Sequence, residues 1–439
     1  MVTGLRDHPL RRELTDEIHA RPFARLVPPQ RVTHLALFSG EGAAEADRER
    51  ISALCERFGT PAPGASERHW MADLGPWQVK WERHTEFSTY TVFQNGQAPG
   101  FDSAAAPFSA PVIDLVPTDW LRSLPGQLLV GVHLDIETRQ VGERGVADLS
   151  VLFGTDNIAG SLVSGGAAGV WMDFAIHDDG FGRILVGDRH MRPRQAGRLV
   201  QRLCEIETYR SMALLALPAA RRYGAELTRA GDRLTEMTGR LSEISGLSEE
   251  QELLGQLTRL SAEVEGIGAA VSYRFGAARA YHALVCRRVQ ELREERLEGL
   301  QTIDEFLERR LTPAMRTCEA VMARLETLSV RIARAGELLR TRVDVALEAQ
   351  NSDVLRSMNR RAKMQLRLQQ TVEGLSIAAI SYYLVGLVGY AAKAAKTTGL
   401  SLDVDIVTGL SIPVVVGLVG AALWRLRRQV ARDADLHTD

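Results

Sequence analysis

The chain has 439 residues, which corresponds to about three domains at roughly 150 residues each. Its hydrophobic fraction of 45% and charged fraction of 25% are those of a folded protein and exclude a disordered or collagen-like chain. The net charge of −2 excludes a general electrostatic attraction to nucleic acid. We therefore expect a folded protein without a nucleic-acid partner.

Residues 1–192 predict a cytoplasmic α+β domain. The segment before Leu26 is charged throughout and lacks the apolar core of a secretory signal. Arg31–Phe38 alternates as a strand does, and Ala43–Phe58 follows as a helix. The β-prone stretch Trp77–Phe93 predicts a hairpin of two strands.

The rest of this domain also favours strands. We predict strands at Gln127–Ile136 and at Leu149–Phe153. Asp178-Asp179-Gly180 is a hairpin signal between strands at Val170–Ile176 and Gly182–Val186.

Four motifs of this domain suggest a function, and a structural role is favoured for each. They are the glycine-rich stretch 160–169, the acidic turn His177-Asp178-Asp179, the group Glu17, His19 and Arg21, and the pair His84 and Glu86. The glycines lack the order of a phosphate or dinucleotide loop. The acidic and histidine residues do not form an ordered set of nucleophile, base and orienting group. We therefore expect no catalytic residue, no metal site and no cofactor.

Residues 193–312 predict a helical hairpin region, and 313–373 a long stalk helix that begins at Pro313. Apolar or small residues recur along this helix at spacings of three and four, which is the pattern of a coiled-coil seam. They are Cys318, Val321, Leu325, Leu328, Ile332, Ala335, Leu339, Val343 and Ala346. The seam can pair within one chain or between subunits, and the sequence leaves both open.

Two uncharged runs near the C-terminus predict transmembrane helices at 374–392 and 406–424. Arginines before the first run and in the basic tail 425–439 place both termini in the cytoplasm by the positive-inside rule. We therefore expect a multi-pass protein of the bacterial inner membrane, in contact with the lipid bilayer.

Polar residues near the predicted spans suggest a pore. Gln365, Gln369 and Glu373 precede the first span and are candidates to line a wet channel, although a solvated face explains them equally well. The extracytoplasmic loop 393–405 carries four candidate residues for a pore mouth, namely Lys393, Lys396, Asp403 and Asp405.

Three segments resemble a bacterial family of unknown function that is described as predicted membrane-anchored proteins. They are His8–Phe23, Arg83–Tyr90 and Glu205–Pro218, and the resemblance extends over nearly the whole chain. It implies membrane anchoring and no mechanism.

The succession of domain, long helix and two spans also resembles the CorA magnesium channels. That resemblance implies a homo-oligomer, a pentamer if it is CorA-like, with an inorganic ion as its partner. The Gly-Met-Asn signature of those channels is replaced here by Gly389-Tyr390-Ala391, so no ion-selecting residue carries over.

Three functions remain in view. The first is an oligomeric ion channel or transporter of CorA-like build. The second is a non-conducting, membrane-anchored coiled-coil scaffold or sensor. The third is a membrane-tethered enzyme that uses the N-terminal domain. The continuous helix from stalk to span slightly favours transport, and we expect no enzymatic activity.

Overall fold

The structure is a computed structural model, which describes most of the chain. The described residues are 6–12, 14–15, 23–65, 67–94, 106–138, 144–244, 246–397 and 403–435. They divide into two compact units. The first unit contains Met1–Glu243 and Leu253–Gly336, and the second contains Ile244–Glu252 and Glu337–Asp439.

A nine-stranded mixed sheet forms the centre of the first unit, within the residues described. Its strands are β1 (Gln30–Phe38), β2 (His69–Asp73), β3 (Trp77–Arg83), β4 (Phe87–Gln94), β5 (Gln127–Glu137), β6 (Ala159–Val163), β7 (Ala168–Met172), β8 (Gly182–Asp188) and β9 (Glu295–Arg296). Their order is β2-β3-β4-β1-β5-β8-β7-β6-β9. The β5–β8 pair is parallel and the other neighbours are antiparallel, so the predicted α+β domain is an α/β domain with a mixed sheet.

Helices surround this sheet and continue through the second half of the chain. They are α1 (Ala44–Phe58), α2 (Thr118–Ser123), α3 (Val146–Phe153), α4 (Pro193–Leu214), α5 (Leu217–Arg240), α6 (Leu247–Leu292), α7 (Ile303–Thr397) and α8 (Val404–Asp435), with a short 3₁₀ turn at Val112–Leu115. The predicted early strands, the first helix and both hairpins are confirmed. The glycine-rich stretch is a turn between β6 and β7, in which Gly165 and Gly166 have positive φ.

One face of the sheet packs against α1. Strand alternation directs Trp77, Val79 and Trp81 to this face, where they join Ile51 and Leu54 of α1 in one buried cluster. Burying three large side chains of this kind contributes several kcal/mol to stability, at about 1.5–3 kcal/mol each. The opposite face of β3 therefore carries the alternate residues, which are polar.

A buried ion pair also joins α1 to the sheet. The Asp47 carboxylate is completely buried and lies 3.4 Å from the guanidinium of Arg83. The hydroxyl of Tyr90 donates to Asp47 at 2.8 Å, and the hydroxyl of Ser88 also donates to it. Arg83 donates to the hydroxyl of Ser39 at 2.6 Å. Because both charges are shielded from water, each depends on the other for compensation.

The segment predicted as a strand at Leu149–Phe153 is a helix, so that prediction is wrong. Leu149 and Phe153 are four residues apart, and both bury their side chains in one cluster with Trp171 and Leu185. The Asp148 carboxylate accepts the backbone N–H of Gly145 at 3.0 Å, which stabilises the first turn of α3. Gly154 has a φ of 66° and ends the helix in the left-handed conformation.

The long helix begins at Ile303 and not at Pro313, which lies inside it. Thr302 and Glu305 form a capping box, with the Glu305 N–H donating to the Thr302 hydroxyl and the Thr302 N–H to the Glu305 carboxylate, both at 3.1 Å. Before it, β9 pairs with β6 and interrupts the region predicted to be helical up to residue 312. The predicted boundary between 312 and 313 is therefore wrong.

Within the first unit, α5, α6 and α7 pack against one another. The seam residues Cys318, Val321, Leu328, Ile332 and Ala335 are buried. A Cβ atom added to Gly224 of α5 would lie 3.3 Å from Val321, and one added to Gly268 of α6 would lie 3.5 Å from Leu325. The seam therefore packs within one chain over this length, which decides between the two alternatives that the sequence left open.

The second unit contains the end of α7 and the helix α8. Arg342 joins its two segments, because its guanidinium lies 2.9 Å from the Glu250 carboxylate and donates to the Ile244 carbonyl at 3.0 Å. A Cβ atom at Gly389 of α7 would lie 3.3 Å from the hydroxyl of Thr408 in α8, so the glycine permits a close approach of the two helices.

Candidate functional site

A polar cavity of about 260 Å³ lies between the sheet and α4, inside the first unit. The sheet contributes the face of β1, β3 and β4 that points away from α1. Its polar lining consists of His34, Lys80, Glu82, His84, Thr89, Thr91, Gln201, Glu205, Thr208 and Arg288. Phe87, Phe93 and Tyr209 add aromatic walls. The volume lies just below the usual range for drug-sized ligands, which suits a small metabolite.

Lys80 and Glu82 form an ion pair at the sheet wall of the cavity. Both side chains are almost fully buried, and the Lys80 ammonium lies 3.1 Å from the Glu82 carboxylate. The ammonium also donates to the amide oxygen of Gln201 on α4 at 3.5 Å. A lysine has three donors, so Lys80 keeps donor capacity for a further acceptor in the cavity.

A second ion pair stands at the helical wall. Arg288 of α6 donates to the Glu205 carboxylate of α4 and to Glu291 at 3.0 Å. The Gln201 amide donates to Glu205 at 2.9 Å, so Gln201 links this pair to Lys80. The lining thus contains two cations and two carboxylates, and their formal charges cancel.

His34 contributes a polar but uncharged surface between the two walls. Its Nδ1 lies 2.8 Å from the Thr91 hydroxyl, and its Nε2 lies 3.0 Å from the Thr208 hydroxyl. Burial, helped by the charge of Lys80, lowers the pKa of His34 to about 3. The imidazole is therefore neutral at cytoplasmic pH.

Cys204 also lines the cavity, but its environment disfavours the thiolate. Burial and the neighbouring carboxylate of Glu205 raise the pKa of the Cys204 thiol. The thiolate is the nucleophilic form of cysteine, so this side chain is poorly suited to covalent catalysis. The chemistry of the cavity is that of binding by charge and hydrogen bonds.

The structure separates the functional motifs named from the sequence. His84 lines the cavity and stacks on Phe87 at 4.3 Å, whereas Glu86 is buried and binds Arg274 and the Tyr281 hydroxyl. Glu17, His19 and Arg21 lie outside the described residues.

The acidic turn near β8 has local partners. His177 lies 3.0 Å from the Asp173 carboxylate, and Asp179 accepts the backbone N–H of Phe181 at 2.9 Å. Over the part of the chain that the structure describes, no group of three or more histidine, cysteine, aspartate or glutamate residues is placed to hold a metal ion.

The predicted pore residues lie in the second unit. Gln365 and Gln369 are exposed on α7, and the Gln369 amide donates to the half-buried Glu373 at 3.4 Å. At the predicted mouth, the described side chains of Lys393, Asp403 and Asp405 are exposed, and that of Lys396 lies outside the described part. Conduction by these residues stays a prediction.

Two helices are long and apolar enough to cross a membrane, one in α7 and one over Val404–Arg425. Fold and cavity together define a class of protein with a polar ligand-sized site in an α/β domain and two apolar helices behind it. The chain belongs to DUF3422, a family of proteins of unknown function, whose model matches residues 6–430. No curated protein matches the chain.

Proposed function

We propose that this protein is a membrane-anchored sensor whose α/β domain binds a small polar molecule. The observation that carries the proposal is the buried cavity with its four charged side chains. Charged groups are costly to bury, and a lysine in particular is almost never fully buried without a partner. A surface that is both enclosed and charged is typical of a binding site with a few oriented polar groups.

The charges of the cavity indicate the class of ligand. A purely anionic molecule meets repulsion from Glu82 and Glu205, and a purely cationic one meets repulsion from Lys80 and Arg288. A molecule with one positive and one negative group, such as an amino acid, satisfies both pairs. The aromatic walls then cover its apolar part.

The two apolar helices supply the membrane anchor in this proposal. Only 11% and 6% of their apolar stretches are buried inside the protein, which argues against core helices of a soluble fold. Lipid is the environment that suits such surfaces. With arginines on the flanks, both termini face the cytoplasm of a bacterial inner membrane, so the cavity samples cytoplasmic metabolites.

Ligand binding is tested by thermal unfolding of the full-length protein in detergent. The standard L-amino acids are the probes, each beside the related amine without a carboxylate and the related acid without an amine. At a hundredfold excess over Kd, a ligand adds about 2.7 kcal/mol, so we expect an increase in Tm of about 5 °C for the best amino acid. The single-charge analogues shift Tm little.

The cavity is identified by a paired substitution. Lys80→Met with Glu82→Gln removes one ion pair without leaving a lone charge, and it abolishes the shift. Arg287→Met serves as the control, because this arginine is exposed on α6 outside the cavity lining, and it keeps the shift. If no amino acid and no member of a broad panel of sugars, nucleotides and organic acids shifts Tm, the proposed function is refuted.

A second candidate function is conduction by an oligomer. The observation that favours it is that Gln365, Gln369 and Glu373 are four residues apart and therefore share one face of α7. In a symmetric oligomer this face provides rings of polar side chains that suit a wet pore.

Flux of Mg²⁺ or chloride into proteoliposomes tests this candidate. Gln369→Leu removes one polar ring, and we expect it to reduce the flux about tenfold. Gln370→Leu is the matched control, since the adjacent residue points to a different side of the helix and leaves the flux unchanged. A protein that carries neither ion excludes the candidate.

A further inference from the structure

A segment of α7 exposes large apolar side chains without covering them. Between Asp344 and Thr371, no residue is buried. Five apolar residues of the segment and its end expose 38–63% of their surface, namely Leu347, Val354, Met358, Leu368 and Val372. Isolated helices of this length are only marginally stable in water, so the segment needs a partner for its apolar side.

These residues form one line along the helix. Leu347, Val354, Met358, Leu368 and Val372 occupy positions of an uninterrupted alternation of four and three residues, which is the heptad pattern. Asn351, Arg361 and Gln365 fill the remaining positions of the same line. We call this line the exposed stripe.

The charges of the segment lie on the opposite side. Asp353, Arg356, Arg360, Lys363 and Arg367 recur at spacings of three and four, and they form their own line about half a turn away from the exposed stripe. Arg361 is the exception among the charges from Ser352 to Thr371. Two copies of the segment can therefore meet through their stripes while their strongly basic sides point apart into water.

We propose that the exposed stripe pairs with the same stripe of a second copy of this chain, in parallel and in register. This inference rests on the membrane insertion in the proposed function and not on ligand binding. Copies that enter one bilayer at Gly374 in one orientation hold equal residues at equal distances from the membrane. A second copy is thus the partner whose stripe arrives in matching register.

The polar positions of the stripe support an identical partner. The amides of Asn351 and Gln365 donate and accept, so each can bond to its own equivalent across a symmetry axis. Arg361 reduces the stability of the pairing, and a polar residue at such a position favours one register over others. The buried seam near Val321 is already used within the chain, which leaves the exposed stripe as the free continuation.

Cysteine crosslinking in native membranes tests the pairing. The parent is full-length Cys286→Ser, because Cys286 is exposed whereas Cys55, Cys204 and Cys318 are buried. Met358→Cys adds a thiol on the stripe, and Arg356→Cys adds one on the basic side at nearly the same height. With a short bis-maleimide, we expect Met358→Cys to give a product of twice the chain mass at least about tenfold faster than Arg356→Cys.

The outcomes are separable. Equal crosslinking of both variants, or crosslinking of neither, overturns the pairing, and so does an adduct of Met358→Cys with a different protein. Resistance of the protein to extraction from membranes by carbonate is measured on the same samples. Its loss refutes the anchor, whereas a retained anchor without the product refutes only the pairing.

Discussion

Replacement of Gly197 by alanine is expected to destabilise the α/β unit by at least about 3 kcal/mol. Gly197 lies in the first part of α4, where the segment around Ala24 crosses the helix. A Cβ atom at this position would overlap the carbonyl oxygen of Ala24, which is backbone and cannot rotate away. The crossing segment is itself held, because the N–H of Leu26 donates to the Pro193 carbonyl at 3.1 Å. The overlap is relieved only by moving one backbone away from the other.

Thermal unfolding of the full-length protein measures this effect, as a decrease in Tm of about 6 °C or more. Gly231→Ala in α5 is the matched control. It also adds one methyl group to a helix, but nothing lies within 4 Å of its Cβ position. Alanine favours helix by up to about 1 kcal/mol over glycine, so we expect Gly231→Ala to raise Tm. Equal effects of the two substitutions would contradict the close crossing.

Replacement of Arg83 by methionine is expected to cost about 3–5 kcal/mol, because it leaves the carboxylate of Asp47 buried without its cation. Asp47 has no exposed surface, and the hydroxyls of Ser88 and Tyr90 compensate only part of its charge. The aspartate lies on α1 and the arginine on β3, so the variant weakens the attachment of this helix to the sheet.

Two controls distinguish a lone buried charge from general loss of packing. Adding Asp47→Asn to Arg83→Met neutralises the remaining carboxylate, and we expect it to recover at least about half of the lost stability. Arg57→Met on the same helix breaks the exposed pair with Asp119 and costs less than about 1 kcal/mol. A double variant as unstable as Arg83→Met alone would refute the explanation by charge. These values come from the same unfolding experiment in detergent.

The strands and hairpins of the first unit were largely predictable because their signals are local. Trp77–Phe93 combines β-prone residues with a short connection, and the structure confirms β3 and β4. Leu149–Phe153 misled because a short apolar run fits a strand and a buried helix equally well. The deciding features are Asp148, which caps the helix, and Gly154, which ends it.

The start of the long helix was also readable in principle. Thr302 and Glu305 have the spacing of a capping box, which is a stronger start signal than Pro313 ten residues later. The two-residue strand β9 had no such signal. Its pairing with β6 is a contact between segments far apart in the chain, and its length gives no periodicity to detect.

The candidate site was missed for a different reason. Lys80 and Glu82 alternate with apolar residues in β3, and this pattern is typical of a strand with one face in water. In the structure α4 covers that face and converts it into the wall of a cavity. Of the residues named from the sequence, only His84 belongs to the lining.

By itself, the amino-acid sequence determined the two long apolar segments and the three-and-four spacing of the helix before them, because run length and periodicity are properties of consecutive residues. Only the tertiary structure decided which apolar line is buried within the chain and which stays exposed, and which polar face of the sheet is closed off from water. Burial depends on which distant segment packs against a surface, and that choice is made by the whole fold.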